Sequence, residues 1–395
     1  MLDKKNQTNR AYSYILMAGH ICCDLNQSTT PALLPFLVAQ RGIDFTSAAG
    51  LSFAASFLSS LIQPLLGMIS DRKQRPWLMG LGILFSGLGI AAIGFLESYW
   101  AIFAVIMFAG LGSAMFHPEG GRMANYAAGE KKGRGVSIFS AGGNLGFVIG
   151  PLVVTASVMR WGLRGTAIML IPAVVMATIF FLLEKKLELL SETGIRDTTK
   201  KAVDSKLKDD VPAFLRLCIP VFTRSIAQNG LSTFIPLYWV SVLMQTQQRG
   251  SLMVTFIALA GATAAFIGGR LADRFGFRRI IWIALATVPP LIIMVLLTKN
   301  IWTATVLVMM TSLALHLTAS PAIVLGQTYL PNRLGLASGV TLGLAISIGG
   351  ITSPLLGRIG DNYGLTTVLY VVSGIALLSF LGSLLIKKEK VKKKD

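Results

Sequence analysis

The sequence predicts an all-α integral membrane protein: twelve transmembrane helices in two six-helix bundles, with both termini in the cytoplasm. Three observations predict it. Of the 395 residues, 53% are hydrophobic and only 14% charged, and the mean hydropathy is +0.65. Soluble domains carry about a quarter charged residues, so a soluble enzyme, a disordered chain and a disulfide-stapled scaffold are excluded. Apolar stretches long enough to cross a bilayer recur twelve times along the chain. The two halves also repeat one another at a nearly constant offset.

A spanning helix needs about 20 mostly apolar residues. Such stretches fall at 12–38, 47–70, 77–96, 99–124, 134–158, 164–184, 213–243, 250–271, 279–298, 301–327, 334–357 and 363–386. The first carries Asp24 and lacks a small-residue cleavage site, so it reads as a span and not as a signal peptide. Between spans six and seven lies a polar stretch rich in Lys, Glu, Asp, Thr and Ser. It divides the chain into an N-terminal bundle (1–184), a cytoplasmic linker (185–212) and a C-terminal bundle with a basic tail (213–395).

The formal net charge of +18 would suggest nucleic acid in a soluble protein. Here it tracks topology. With the N-terminus inside, 29 of the 36 Lys and Arg residues fall in inner segments and six in outer loops. That bias puts both termini in the cytoplasm. Nucleic acid is therefore not an expected partner, whereas the bilayer is; the Lys387–Lys394 tail suits anionic lipid. The remaining basic residue, Arg224, lies inside a span. Cys22, Cys23 and Cys218 have neither disulfide nor metal-ligand spacing and read as small apolar packers.

The repeat shows in four pairs. Asp71 and Asp273 are 202 residues apart, while His117-Pro118 and Ser320-Pro321, Gly150-Pro151 and Ser353-Pro354, and Asn26 and Asn229 are all 203 apart. Six spans in tandem repeat are the architecture of transporters with a site between the halves. Around the first pair, Gly269-Arg270-Leu271-Ala272-Asp273-Arg274-Phe275-Gly276-Phe277-Arg278-Arg279 resembles the loop signature of the major facilitator superfamily. Gly67-Met-Ile-Ser-Asp71-Arg72-Lys73-Gln74-Arg75 is a weaker copy without the second glycine. The resemblance implies a conformational latch on the inner side that stabilises the outward-open state, formed by Gly67, Asp71, Arg72, Arg75, Gly269, Asp273, Arg274, Gly276 and Arg278.

Three segments of the first half carry a narrower resemblance, to the fosmidomycin-resistance efflux family. They are Gly19-His20-Ile21-Cys22-Cys23-Asp24 with Pro31 to Pro35, Phe116-His117-Pro118-Glu119 with Arg122, and Gly142-Gly143-Asn144-Leu145-Gly146 with Gly150-Pro151. It implies proton-driven export of small toxic compounds, including a phosphonate antibiotic, from a bacterial cell. Ile106 stands about where many superfamily antiporters carry an arginine in span four.

Ionisable side chains inside hydrocarbon are costly and point to function. His20 and Asp24 are four residues apart and share a helix face. Asp24, roughly 18 Å into span one at about 1.5 Å per residue, is near mid-membrane. It is the candidate proton carrier, with His20 as partner; a static bonded pair is the alternative. His117, Glu119 and Arg122 lie toward the inner end of span four, where Glu119 and Arg122 can pair three apart. His117 and Glu119 are further proton-coupling candidates, and Arg122 belongs to a gate or charge network.

In the second half, Arg224 can hold an anionic group in bidentate fashion. Gln228, Asn229 and His316, together with Asn26 and Asn144 of the first half, are the other candidate substrate contacts. Span five carries Gly146, Gly150 and Pro151 as helix-packing positions.

No Gly-Lys dipeptide occurs, so there is no phosphate-binding loop for ATP. No catalytic motif, metal-ligand spacing or cofactor fingerprint is present, and neither enzyme activity nor a cofactor is expected. The reading is a monomeric, proton-coupled antiporter of the cell membrane that exports small toxic compounds by alternating access. Its alternative is a proton-coupled importer of a small organic anion.

Overall fold

The structure is a computed structural model. It describes residues 2–72, 75–127, 132–198, 208–333, 336–337 and 339–387, without the side chains of 2–10, 64–65, 67–72, 132–136, 191–198 and 342–343. Among the described residues there is no strand. In order, the helices are α1 (Leu2–Gln27), α2 (Thr29–Arg41), α3 (Phe45–Arg72), α4 (Trp77–Ala92), α5 (Tyr99–Ala127), α6 (Lys132–Trp161) and α7 (Leu170–Thr198). The second half contributes α8 (Val211–Ser241), α9 (Gln247–Phe275), α10 (Phe277–Leu297), α11 (Ile301–Leu317), α12 (Ala319–Tyr329), α13 (Ala345–Tyr363) and α14 (Leu365–Ser383). Among the described residues, nine stretches are long and apolar enough to cross a membrane. Helix α7 runs on to Thr198, past the point where the sequence places the start of the linker.

Two of the expected spans are broken. Pro31 cannot donate to the Gln27 carbonyl, nor Pro321 to the Leu317 carbonyl, and the helix is interrupted next to each vacancy, at Ser28 and Thr318. Both break residues bond back by their hydroxyls, Ser28 to the Leu25 carbonyl at 3.1 Å and Thr318 to the Leu315 carbonyl at 2.8 Å. Elsewhere hydroxyls are accommodated by donating one turn back. Thr311 to Leu307 and Thr223 to Ile219 are examples, so polar residues cost little in apolar surroundings.

Lipid tails are as apolar as the helices, so association depends on close packing at small residues. Helix α6 lies along α1 at its glycines. A Cβ on Gly146 would stand 2.6 Å from the Ile21 carbonyl oxygen, and one on Gly150 would overlap the Leu25 carbonyl. Pro151, the next residue, lies within α6 and is buried.

The apolar core is shared at one end of the molecule and divided at the other. At the end that carries Asp44, one cluster joins Leu33, Phe36, Leu51 and Val154 of the first half to Phe234, Trp239, Ile257 and Leu369 of the second. Helix α3 packs on α13 there, and α6 on α9. The hydroxyls of Thr155 and Ser251 meet across the halves at 2.5 Å. At the opposite end, where the linker lies, the clusters are separate. One contains Leu16, Met79, Phe116 and Phe180, the other Phe214, Leu217, Leu285 and Leu325.

Candidate functional site

The first-half site forms where α1, α5 and α6 meet. Asp24 is 3% exposed, and its two carboxylate oxygens face two histidines. His20 Nε2 lies 3.1 Å from Oδ2, and His117 Nε2 lies 3.1 Å from Oδ1. All three groups offer an atom within 4.8 Å of the others. The pairing of Asp24 with His20 follows from their spacing on α1. His117 comes from α5.

This separates His117 from the group in which the sequence places it. His117 and Glu119, two residues apart, sit about 200° apart around a helix and point to opposite sides. Glu119 is buried and pairs with Arg122, three residues on, at 3.8 Å.

Both rings are fixed through Nδ1. His20 Nδ1 is 2.7 Å from the Phe139 carbonyl oxygen, and His117 Nδ1 is 2.9 Å from the Ser113 carbonyl oxygen. A carbonyl only accepts, so each Nδ1 carries a hydrogen. The other nitrogen, Nε2, is therefore the one presented to Asp24. A bare lone pair there repels an ionised carboxylate, so each contact is attractive only with a proton between Nε2 and the carboxyl oxygen. Phe139 stacks on His20, with ring centroids 4.0 Å apart. Gly143 leaves room beside the pair; a Cβ there would stand 2.6 Å from Asp24 Oδ2. The His117 side chain retains 23% exposure against 5% for Asp24, which makes it the most exposed member of the trio.

The second-half site is a linear chain. Arg224 Nη1 donates to Gln228 Oε1 at 2.7 Å and to the Leu315 carbonyl at 3.3 Å. The Gln228 amide donates to His316 Nε2 at 2.9 Å, and His316 Nδ1 donates to the Ser312 carbonyl at 2.8 Å. Here Nε2 accepts and Nδ1 donates, which makes His316 a neutral ring. Arg224 Nε is buried without a hydrogen-bond partner among the described residues. A buried guanidinium with a vacant donor is suited to an anionic group.

The other expected substrate contacts stand apart from this chain. Asn229 Oδ1 accepts from the hydroxyls of Ser353 and Thr233. Asn26 is fully buried and donates to the Cys22 carbonyl at 2.9 Å. Asn144 is half-buried on α6 and makes no side-chain hydrogen bond among the described residues.

Of the expected latch, the side chains of Gly67, Asp71 and Arg72 lie outside the described residues, and Arg75 is half-buried. Asp273 and Arg274 are exposed, and Asp273 has no hydrogen bond or ion pair among the described residues. The Arg274 guanidinium lies 5.2 Å over Phe275. Gly276 turns the chain between α9 and α10 at φ +92°, which favours glycine. The Arg278 guanidinium lies 3.9 Å over Trp282 and donates to the Leu384 carbonyl at 3.4 Å. The apolar cores are separate at this end, which agrees with Asp273 having no partner among the described residues.

Sequence reasoning passed over Ser113, Ser312 and the Phe139 carbonyl. A signal existed for the two serines, because each lies four residues before a histidine. The Phe139 carbonyl leaves no trace in the sequence.

The sequence profile of the Major Facilitator Superfamily matches residues 16–354 and again 241–395. The chain is 30% identical over 387 residues to the MFS-type transporter YfnC of Bacillus subtilis, covering 96% of this chain and 94% of that protein. It is 27% identical over 365 residues to the fosmidomycin resistance protein of Escherichia coli, covering 92% and 89%. Among solved structures it resembles a bacterial homolog of the human lysosomal transporter Spinster. The TM-score is 0.76 at 14% identity, covering 95% of this chain and 96% of that one. With its apolar helices and a family match across most of its length, the chain belongs to the major facilitator superfamily and is a multi-pass transporter of the cell membrane, not an enzyme.

Proposed function

We propose that this protein is a proton-coupled antiporter that exports small toxic compounds of the fosmidomycin type by alternating access. Twelve spans cross the membrane with both termini and the linker in the cytoplasm, so the Asp44 end is the outer end. The N-terminal bundle (1–184) handles protons, and the C-terminal bundle (213–395) contributes more to substrate binding.

The observation that carries the coupling is the convergence of His20 and His117 on Asp24 at 3.1 Å each, with both rings pinned through Nδ1. Proton entry by way of His117 neutralises the repulsion between ring and carboxylate, and proton loss restores it. That difference biases how α1 packs on α5 and α6. Arg224, held by Gln228, offers its vacant Nε to the phosphonate. The resemblance to a fosmidomycin resistance protein supports export and this substrate class.

The test is a drug-susceptibility panel that includes fosmidomycin, run with and without expression at two external pH values. Resistance that rises with expression and strengthens at acidic external pH is expected. Resistance to no compound at either pH would sink the export reading. The second reading, import of a small organic anion, also uses Arg224. Counterflow in oriented proteoliposomes separates the two by direction.

A further inference from the structure

The first turn of α3 is capped from the other half of the molecule. A helix leaves its first backbone N–H groups without intrahelical partners. In α3, Ser47 N–H donates to the Asp44 carboxylate at 2.7 Å, and Ala48 N–H donates to the Asp44 carbonyl at 3.0 Å. The two preceding groups, on Phe45 and Thr46, donate instead to Asp361 at 2.8 and 2.9 Å. The Thr46 hydroxyl donates to the same carboxylate. Asp361 lies in the last turn of α13, more than 300 residues along the chain.

Helix α13 comes close to α3 at two glycines on the side that faces it. Gly357 is one turn before Asp361 and Gly350 three turns before, both on the same face. A Cβ on Gly357 would stand 2.6 Å from the Phe45 carbonyl oxygen and 2.7 Å from Thr46 Cα, and one on Gly350 would overlap the Ser56 hydroxyl. Asp361 itself is exposed, so the strength of the contact comes from charge-assisted bonding at a helix N-terminus rather than from burial.

We infer that Asp361 is the outer latch of the transporter. Its carboxylate clamps the N-terminus of α3 while the outer end is closed. Parting of the halves at that end strips two backbone amides and one hydroxyl of their partner at once. The motif assigned to the inner latch, with Asp71, lies at the opposite end of the same helix. Closing one end and opening the other is then an exchange of one latch for the other along α3. Outer and inner rest on the proposed topology; the contact between the halves does not.

The test measures distance rather than transport, so failure of the export reading leaves it interpretable. Spin labels are placed on the full-length protein at Glu97→Cys and Lys299→Cys, with Cys22, Cys23 and Cys218 replaced by alanine. Distances are read by double electron–electron resonance. Asp361→Ala is expected to raise the long-distance, outward-open population about threefold to tenfold, since charge-assisted bonds are roughly twice as strong as neutral ones but are screened at the surface. Thr46→Val, which loses only the hydroxyl bond, should give a smaller shift in the same direction. Asp44→Ala removes a cap within the first half and should lower thermal stability without moving the distances. An unchanged distribution in Asp361→Ala, or an equal shift in Asp44→Ala, overturns the proposal. If Asp361→Ala does not fold, Asp361→Asn keeps the shape and loses the charge. It is expected to give an intermediate shift, and no shift there also overturns the proposal.

Discussion

Asp24 and His117 are 93 residues apart in sequence, and their side chains lie 3.1 Å apart in the structure. This contact joins α1 to α5 and gives Asp24 a second imidazole in addition to His20. The two histidines therefore share one carboxylate. Groups that share a partner do not contribute independently. His20→Gln and His117→Gln are each expected to cut substrate-linked proton flux at least about tenfold, and the double variant should be no worse than the weaker single one. Flux into dye-loaded proteoliposomes measures this. Glu119→Gln, whose partner is Arg122, should lower thermal stability with less effect on flux.

Arg224 is held by Gln228 and the Leu315 carbonyl, and its Nε has no hydrogen-bond partner among the described residues. Arg224→Gln removes the charge from a buried site. Affinity for an anionic phosphonate should fall about tenfold to a hundredfold, the range of one strong charge-assisted contact at about 1.4 kcal/mol per tenfold. Affinity for uncharged substrates should change little. Competition binding with fosmidomycin and with a neutral drug separates the two. Equal losses for both would mean that Arg224 maintains the fold and is not an anion contact.

Gly146 lets α6 meet α1 at backbone contact distance. Gly146→Leu drives a side chain into the Ile21 carbonyl and the Leu25 amide. Overpacking of this kind costs about 1–3 kcal/mol. The melting temperature in detergent should drop by several degrees, and Gly121→Leu, where a Cβ meets nothing within 4 Å, should leave it nearly unchanged.

At the linker end, the Lys387 ammonium donates to Asp210 at 2.6 Å and the Ala213 amide at 3.1 Å. The Lys387 hydrogen bond, then the Ala213 amide, hold the Asp210 carboxyl below its ordinary range. A carboxyl lowered in the folded state contributes stability above its unfolded value and loses it as the pH falls through the folded one. The wild type and Asp210→Asn should therefore differ in thermal stability at neutral pH and converge in acid. The contact is exposed, so the difference should also shrink at high salt.

Helix content and the transporter family were legible because apolar stretches, the basic-residue bias and the glycine-flanked Asp motifs are local patterns. His20 and Asp24 were legible as a pair because four residues make one helical turn. His117 was not, because neighbours in sequence suggested Glu119. Two residues span about half a helical turn, and the partner on α1 is set by packing between helices. The chain from Arg224 to His316 was legible in its members but not in its order, which needs α8 and α11 side by side. The breaks at Ser28 and Thr318 follow from Pro31 and Pro321, yet prolines also lie within unbroken α5, α8 and α10, so proline alone does not mark a break. Asp361 reads as an ordinary loop acid until α13 is seen against α3.

The most direct measurement of the coupling is made on Asp24→Asn in proteoliposomes. Two quantities are recorded on the same preparation: substrate exchange without a pH gradient, and accumulation driven by one. The proposed proton site at Asp24 predicts that exchange persists, showing a folded and binding-competent protein, while gradient-driven accumulation disappears. Full gradient-driven accumulation in Asp24→Asn would contradict the account.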